Sequence, residues 1–323
     1  MTSLLPEIKT VLQKTTDIVI CCHIDPDGDA IGSLLGLGLT FKNQGRKVQL
    51  VSPDGIPLNL RFLPGANEIA TNFNTSSDRI AAIVLDCGDL DRLGPIAQEV
   101  GVLDCIINID HHPTNTLFGT INWVDPKASA TAEMVFYLLR DLSIPVSKNA
   151  ATCLYAGIHT DTGGFRYQNT TAQVHQVAQQ LIQTGVKPWE VADRIYDTKP
   201  LSQIRLLQEA LARLQVTSDG RIAWISLPRQ VLKSCNEDDT SGLINYPRMI
   251  AGTELAILLK EDDNGQVRIG LRSRELIDVG LLAHGLGGGG HPRAAGCVLP
   301  GPLASAEKKV LAVAQQALQE AKG

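Results

Sequence analysis

Residues 105–112 read Cys-Ile-Ile-Asn-Ile-Asp-His-His, an apolar run that ends in an acid and two histidines. Short runs rich in Ile and Val are typical of buried parallel strands when Gly, Pro or Asp bounds them. Similar runs at residues 17–22 and 80–85 are also followed by acids or histidines. Ligand sites in open α/β sheets lie beyond the carboxyl ends of the strands, and we therefore expect these polar clusters to meet at one sheet edge.

Four clusters of acids and histidines carry this expectation. They are His23 to Asp29, Asp86 to Asp89, Asp110-His111-His112, and a Gly-containing turn that begins at Asp161. Any one cluster has a simpler interpretation, since Asp29 could be the N-cap of the following helix and Asp25 a turn residue. Carboxylate oxygens bind hard divalent cations, and imidazole nitrogens bind transition-metal ions. The combination of the two therefore predicts a metal site.

The mixed carboxylate and imidazole set points to Mn²⁺, with Mg²⁺ or Co²⁺ as substitutes, because no cysteine is placed to favour zinc. Two such ions can share a carboxylate, activate a bridging water and neutralise charge on a phosphoryl group. This chemistry suits the hydrolysis of phosphate esters. His159 lies on an apolar helix face and is interpreted as a packed residue, which leaves Asp161 as the better ligand.

The composition bounds the class of protein. A net charge of −5 argues against binding of long duplex nucleic acid, because that mode needs many phosphate contacts from Lys and Arg. No apolar stretch approaches the roughly 20 residues of a membrane helix, and the N-terminus has no basic segment followed by an apolar one. We therefore expect a cytoplasmic protein without a membrane partner.

A chain of 323 residues exceeds the usual size of one core, which predicts two domains. Residues 1–190 alternate apolar strands with helical patterns, and this alternation predicts an α/β domain with a mostly parallel, doubly wound sheet. Residues 191–212 are comparatively polar and are interpreted as a helical linker. Residues 213–323 mix strands with a Gly-rich loop and a terminal helix, which predicts a smaller α/β domain that binds substrate.

The Gly-rich loop of the second domain ends in Gly-Gly-Gly-His at residues 288–291. Glycine tolerates the dihedral angles that bring several backbone N–H groups close to a phosphate. Alternation along the preceding strand places Arg268, Arg272 and Arg274 on one face, where guanidinium groups can grip phosphates or a carboxylate. A flexible loop and a solvated strand face are the competing interpretations, but the combination favours phosphate recognition.

These motifs, taken in order along nearly the whole chain, resemble those of the DHH phosphoesterase superfamily, which is named after Asp-His-His. The matching segments are His23-x-x-Pro26-Asp27-x-Asp29, Asp86 with Asp89, Asp110-His111-His112, Asp161-Thr162-Gly163 and, for the DHH-associated C-terminal domain, Gly288-Gly289-Gly290-His291. Within the superfamily, the two-domain layout is most similar to the nanoRNase type. One departure is Cys87, where many relatives carry a small hydroxyl residue.

The resemblance implies a role for each motif residue. One metal ion would be held by His23, Asp27 and Asp86, and a second by Asp29, Asp86, His111 and Asp161, so that Asp86 bridges them. His112 would face the scissile phosphate, and Asp110 would orient the two histidines. The far phosphate or the terminal nucleotide would be held by Arg272, Arg274, Gly288, Gly289, Gly290 and His291.

The implied activity is hydrolysis of short oligoribonucleotides (nanoRNA) to 5′-mononucleotides and removal of the 3′-phosphate of 3′-phosphoadenosine-5′-phosphate (pAp), with two Mn²⁺ ions and a bridging hydroxide. The partners would be short RNA, pAp and pApA, and a homodimer is allowed. An alternative is a phosphodiesterase for the cyclic dinucleotide c-di-AMP or for pApA. A non-catalytic nucleotide-binding module is a third interpretation, and it predicts gaps in the ligand set.

Overall fold

The computed structural model describes residues 5–15, 17–74, 80–233, 240 and 242–321. The chain divides into two compact units, Met1–Thr198 and Lys199–Gly323, each with its own six-stranded sheet. The predicted fold class, an α/β domain with a mostly parallel sheet and a second α/β domain, is confirmed. The predicted limits near residues 190 and 212 stay a prediction.

The sheet of the first unit is parallel throughout. Its strands are β1 (Asp17–Cys22), β2 (Lys47–Val51), β3 (Ile69–Ala70), β4 (Ile80–Leu85), β5 (Ile106–Asp110) and β6 (Ile121–Val124). Their spatial order is β3-β2-β1-β4-β5-β6. The chain thus moves outward from β1 in one direction and, after β3, returns to place β4 on the other side of β1. Ligands bind in doubly wound sheets at this switch point, between β1 and β4.

Apolar side chains cover both faces of the parallel sheet. Ile18 and Ile20 of β1 belong to one buried cluster, whereas Val19 and Cys21 belong to another. Burial on both faces explains why the strands read as continuous apolar runs rather than alternating ones. The helices of this unit are α1 (Leu5–Lys14), α2 (Gly28–Asn43), α3 (Ala97–Gly101), α4 (Thr131–Asp141), α5 (Lys148–Asp161), α6 (Ala172–Gln183) and α7 (Pro188–Ala192).

Helices α2 and α5 approach each other closely because glycines recur at every fourth position of α2. A Cβ atom added to Gly32 would lie 2.6 Å from the carbonyl oxygen of Cys153 and 2.7 Å from the backbone nitrogen of Gly157. A Cβ atom on Gly28 would collide with the side chain of Thr160. The close approach therefore places the first turn of α2 beside the last turn of α5.

Gly32→Ala is expected to destabilise the first unit by about 3 kcal/mol or more, at the upper end of overpacking costs. Alanine normally favours a helix over glycine by up to about 1 kcal/mol, but here the obstacle is the backbone of α5, which cannot rotate aside. Urea unfolding measures the change. The control is Gly285→Ala, because nothing lies within 4 Å of a Cβ atom added there. Equal stability of Gly32→Ala and the wild type would contradict this helix packing.

The second unit has a mixed sheet. Its strands are β7 (Leu214–Val216), β8 (Ile222–Leu227), β9 (Leu255–Glu261), β10 (Gln266–Ser273), β11 (Gly289–His291) and β12 (Ala294–Pro300), in the spatial order β11-β12-β10-β9-β8-β7. Only β8 and β9 pair in parallel. Its helices are α8 (Leu201–Leu211), α9 (Arg229–Leu232), α10 (Asn245–Met249), α11 (Val279–Gly285) and α12 (Leu303–Glu320).

The Gly-rich segment differs from the predicted loop. Residues 289–291 form β11 and pair with residues 294–296 of β12, so that part of the segment is a strand held by a ladder of backbone hydrogen bonds. Glycine is a weak strand former, and this pairing overrides its local preference. In the part of the chain that the structure describes, no helix has both the length and the apolar character that crossing a membrane requires.

Candidate metal centre

The four predicted clusters of the first unit lie around the switch point of its sheet. His23 follows β1, Asp86 follows β4, and Asp110 is the last residue of β5. Asp29 lies in the first turn of α2. Asp161 is the last residue of α5, so the predicted Gly-containing turn begins one residue later, at Thr162. The structure therefore brings all four clusters to one edge of the sheet.

Three groups of these side chains offer nitrogen or oxygen atoms that lie within 4.8 Å of one another. The groups are His23 with Asp27 and Asp86; Asp29 with His111 and Asp161; and Asp86 with His111 and His112. The first two groups agree with the two ligand sets that the sequence predicts, and Asp86 lies next to both. Mixed carboxylate and imidazole donors at this spacing fit divalent cations of the transition type.

Asp86 occupies the centre of the site. Its Oδ2 atom lies 3.7 Å from His23 Nε2, and its Oδ1 atom lies 3.6 Å from His111 Nε2. The hydroxyl of Thr131 donates a hydrogen bond to the same Oδ1 atom at 2.9 Å. Asp86 has a φ angle of 56°, in the left-handed region, which Asp adopts more readily than most residues. This turn directly after β4 directs the carboxylate of Asp86 toward the site.

Each proposed histidine ligand has its Nδ1 atom next to a backbone carbonyl. The Nδ1 atom of His23 lies 2.6 Å from the oxygen of Ile24, and that of His111 lies 3.2 Å from the oxygen of Ala128. A carbonyl only accepts, so at His111 the Nδ1 atom carries the proton and Nε2 faces the carboxylates, whereas the Nδ1 atom of His23 also lies 3.2 Å from the guanidinium of Arg92, which only donates. Such a bond fixes the tautomer and the orientation of a ligand imidazole. His111 Nε2 lies 3.7 Å from Asp161 Oδ2 and 3.9 Å from Asp29 Oδ2.

Asp29 is held by the first turn of α4. Its Oδ2 atom accepts from the backbone nitrogen of Thr131 at 2.6 Å, and its Oδ1 atom accepts from that of Ala132 at 2.9 Å. The N-cap of α2 is Asp27, whose Oδ1 atom accepts from the backbone nitrogens of Asp29 and Ala30. The alternative interpretation of Asp29 as the cap of its own helix is therefore wrong.

The local sequence patterns missed two residues that hold carboxylates in place. Thr131 contacts both Asp29 and Asp86. Asn169 donates to Asp161 Oδ2 at 3.1 Å and to the carbonyl oxygen of Ser129 at 2.9 Å. Thr131 could have been found as the start of a predicted helix, since the N-terminus of a helix attracts an anion. No local pattern distinguishes Asn169 from other loop residues.

The charges of the site interact strongly. Burial would raise the pKa of Asp86, but the hydrogen bond from His23 and the neighbouring His111 outweigh it and hold the pKa below its usual value. Burial also raises the pKa of Asp29 well above its usual value, and Asp86 and Asp161 add to the shift. Burial raises the pKa of Asp161 to about 7, with further contributions from Asp27 and Asp86. Asp29 and Asp161 therefore hold protons more tightly than usual, and a cation that bound there would displace them.

The two histidines beside Asp86 gain affinity for protons. Burial lowers the pKa of each ring, but the neighbouring carboxylates have the larger effect. At His23, the hydrogen bond to Asp86 and its charge raise the pKa to about 9. Asp86, Asp161 and Asp29 together raise the pKa of His111 to about 9. Metal binding requires the neutral ring, and loading of the site near neutral pH must therefore release protons.

Asp110 pairs with His112 rather than with both histidines. Its Oδ1 atom lies 2.6 Å from His112 Nδ1, and its side chain is fully buried, whereas that of His112 is 22% exposed. Burial would lower the pKa of His112, but the hydrogen bond to Asp110 and the charge of Asp86 raise it. Because Nδ1 is engaged by Asp110, Nε2 is the atom that His112 can present to a ligand.

Three further residues near the site have defined positions. Asp89 accepts from the backbone nitrogen of Asp91 at 2.8 Å and caps a short helical segment. Arg92, which the sequence patterns missed, places a guanidinium nitrogen 3.2 Å from His23 Nδ1. His159 packs against the rings of Tyr155, Phe165 and Tyr196, as its apolar helix face predicted.

In the second unit, the predicted substrate residues lie on and beside the sheet. Strand register aligns Arg272 of β10 with Ala294 of β12, which is in turn opposite His291 of β11. The side chain of His291 lies outside the described part of the structure. Arg274 lies beyond the end of β10, so the predicted alternation applies to Arg268 and Arg272 only. The guanidinium of Arg274 donates to the carbonyl oxygens of Thr253 at 2.9 Å and Arg248 at 2.8 Å.

A cluster of side chains that could hold metal ions, at the switch point of a doubly wound parallel sheet, is the arrangement expected of a metal-dependent phosphoesterase. Residues 17–158 match the family model described as the DHH family, N-terminal domain, and residues 228–320 match the DHHA1 domain. The chain belongs to the DHH family and carries a DHHA1 domain. Phosphoesterases of this family depend on divalent metal ions, and the donor set of this chain fits such ions.

Similar proteins match almost the whole chain. It is 36% identical to the bifunctional oligoribonuclease and PAP phosphatase NrnA of Thermus thermophilus, over 94% of this chain and 91% of that protein. It is 28% identical to the protein of the same description from Bacillus subtilis, over 90% of this chain and 92% of that protein. A solved exopolyphosphatase-related protein from Bacteroides fragilis matches with a TM-score of 0.91 at 28% identity, covering 99% of this chain and 96% of that chain. The predicted family, and a hydrolase acting on phosphoester bonds, are confirmed.

Proposed function

We propose that this protein hydrolyses short oligoribonucleotides to 5′-mononucleotides and removes the 3′-phosphate from pAp. The observation that supports the proposal is the cluster around Asp86, in which each of the six predicted ligands belongs to a group whose nitrogen or oxygen atoms lie within 4.8 Å of one another. The likeness to proteins named oligoribonuclease and PAP phosphatase over about nine-tenths of the chain or more supports the choice of substrate. A homodimer and a cytoplasmic location stay predictions.

Two Mn²⁺ ions are the cofactors that we propose. The ligands would be His23, Asp27 and Asp86 for one ion, and Asp29, Asp86, His111 and Asp161 for the other. When bound, such a pair neutralises phosphoryl charge and activates water. The protein contributes the orientation: Thr131 and the first turn of α4 hold Asp29 and Asp86, and Asn169 holds Asp161.

His112 is the residue that we propose to face the phosphate. Asp110 accepts the Nδ1 proton, and this bond leaves Nε2 to donate a hydrogen bond to a phosphate oxygen or a proton to the leaving group. The raised pKa of His112 favours the protonated ring that this role requires. A fully buried carboxylate behind the imidazole prevents the ring from rotating.

We propose that the glycine strand and Arg272 recognise the terminal nucleotide. Strand register places Gly289, Gly296 and Gly270 in one row across three strands, two residues along the strands from the row that contains His291 and Arg272. A row without side chains lets a ribose or a base approach the backbone, while a guanidinium at its border can pair with a phosphate. A side chain at Gly288 would collide with the backbone of β12. Arg274, whose guanidinium already donates to three carbonyl oxygens, would contribute by supporting this region.

The proposed function predicts activity that depends on added metal and on a short substrate. Protein freed of metal with a chelator would be assayed with Mn²⁺, Mg²⁺ or Co²⁺ on pAp, RNA of two to five nucleotides, pApA, c-di-AMP and pyrophosphate. We expect cleavage of short RNA and pAp, with the highest rate in Mn²⁺. Cleavage of c-di-AMP or pApA alone would favour the cyclic-dinucleotide alternative, and no cleavage with any ion would reject catalysis.

A further inference from the structure

Asn115 makes an unusual number of contacts for a residue in a loop. Its side-chain nitrogen lies 2.6 Å from Asp110 Oδ2, 2.8 Å from Asn108 Oδ1 and 3.3 Å from the carbonyl oxygen of Cys87. Its side-chain oxygen accepts from the backbone nitrogen of Leu117 at 2.7 Å. The amide thus has two separate functions, a donor side directed at the site and an acceptor side directed at its own loop.

Asn108 continues this network below the site. It is fully buried in β5, and its side-chain nitrogen donates to the carbonyl oxygens of Val84 at 3.3 Å and Cys87 at 3.1 Å. Because both carbonyl groups only accept, the oxygen of Asn108 must face Asn115, and so the orientation of both amides is set by their partners. The two amides therefore join the loop after β5 to the end of β4.

One of the joined segments carries the central carboxylate of the proposed metal site, and the other carries the histidine that we propose to face the phosphate. Val84 and Cys87 flank Asp86, the carboxylate at the centre of the metal site, and Asp110 holds His112. Both oxygens of Asp110 are used, one by His112 and the other by Asn115. Removal of the second bond would leave the carboxylate buried with an unmet acceptor and free to rotate, and His112 would lose its fixed position.

We propose that Asn115 is a positioning residue that acts through Asp110 on His112 and sets the distance between that imidazole and the Asp86 centre. The inference rests on the proposed function, because it predicts an effect on turnover. Misplacement of a catalytic group by about 1 Å can cost on the order of 100-fold in rate, and loss of a supporting partner commonly costs roughly 10- to 100-fold. A residue that only stabilised the loop would instead change stability and leave the turnover of the folded enzyme intact.

The test variant is Asn115→Asp, which keeps the size and the acceptor for Leu117 but removes both donors. We expect kcat on short RNA to fall by about 10- to 100-fold, while KM and the Mn²⁺ content of the folded enzyme change by less than about 3-fold. The matched control is Asn122→Asp in β6, where the amide bonds to Gly119 and to the oxygen of Leu117 in the preceding loop and has no hydrogen bond to Asp110. Its kcat should stay within about 2-fold of the wild type.

A double-mutant cycle with His112→Ala distinguishes positioning from general damage. If Asn115 acts through His112, Asn115→Asp should cost less than about 2-fold in kcat once His112 is absent. An equal loss in both backgrounds, an unchanged kcat of Asn115→Asp, or an unchanged kcat of His112→Ala would overturn the inference. Should the charged variant fail to fold, Asn115→Ala removes the same donors without adding charge. An inactive wild type would reject the proposed function itself, and the two failures are therefore distinct.

Discussion

Asp86→Asn is expected to lower kcat/KM on short RNA by about 1000-fold or more, which corresponds to about 4 kcal/mol of transition-state stabilisation. The Asp86 carboxylate lies between His23 and His111 and belongs to two of the three ligand groups. Its loss removes the negative charge that both proposed ions share. No other single substitution in the site is expected to reduce activity more.

Asparagine is the appropriate replacement because it removes the charge of Asp86 and keeps the backbone conformation. Asp86 has a left-handed backbone, and Asn tolerates that region as well as Asp does, so the fold should survive the change. Metal content, measured on desalted protein by mass spectrometry, should fall together with activity. Equal thermal unfolding of both proteins in the presence of chelator would show that the fold is intact.

The control for Asp86→Asn is Asp89→Asn, three residues further along the same loop. Asp89 accepts from the backbone nitrogen of Asp91, and Asn preserves that cap. We expect its activity to lie within about 3-fold of the wild type, as for a substitution outside the site. An Asp86→Asn enzyme that retained its metal and more than a tenth of its activity would refute the central position of this carboxylate.

His112→Ala is expected to reduce kcat by about 100- to 1000-fold while the metal content stays unchanged. The reason is that Asp110 binds His112 Nδ1 and orients the ring, whose Nε2 atom we propose to face the phosphate. The loss should appear in kcat rather than in KM, because the proton or hydrogen bond is needed in the transition state.

Metal titration by calorimetry and single-turnover kinetics on pAp would measure the two effects of His112→Ala separately. His175→Ala is the matched control, since this histidine lies on an exposed part of α6 and stacks on Phe165 without contacting the ligand groups. A loss of metal binding in His112→Ala would show that His112 is itself a ligand, as its place in the group with Asp86 and His111 allows.

Much of the site could be predicted because strand ends and polar clusters coincide along the chain. Three apolar runs are followed by acids or histidines, and parallel strands all deliver such residues to one edge. The Asp110 to His112 tripeptide is correctly placed for this reason, and so is Asp86 after β4. Boundaries were less accurate: α5 continues to Asp161, and β10 ends before Arg274.

The supporting residues could not be predicted from local patterns. Thr131 and Asn115 hold site carboxylates through side-chain or backbone contacts that match no helical or strand period. The bond between Asp29 and Thr131 joins residues 102 positions apart. Arg274 was assigned to the substrate from its residue type and from strand alternation, but it lies beyond the end of β10 and its guanidinium donates to backbone carbonyls.

The sequence by itself determined the fold class, the family and the residues that reach the site, because hydrophobic periodicity sets where each strand ends and which side chains come directly after it. Only the tertiary structure decided how those residues act. The packing of α2 against α5 through Gly32 places Asp29 near Asp161, and the loop after β5 decides which nitrogen of His112 is engaged. These are matters of burial and hydrogen bonding between distant segments, which exist only once the chain has folded.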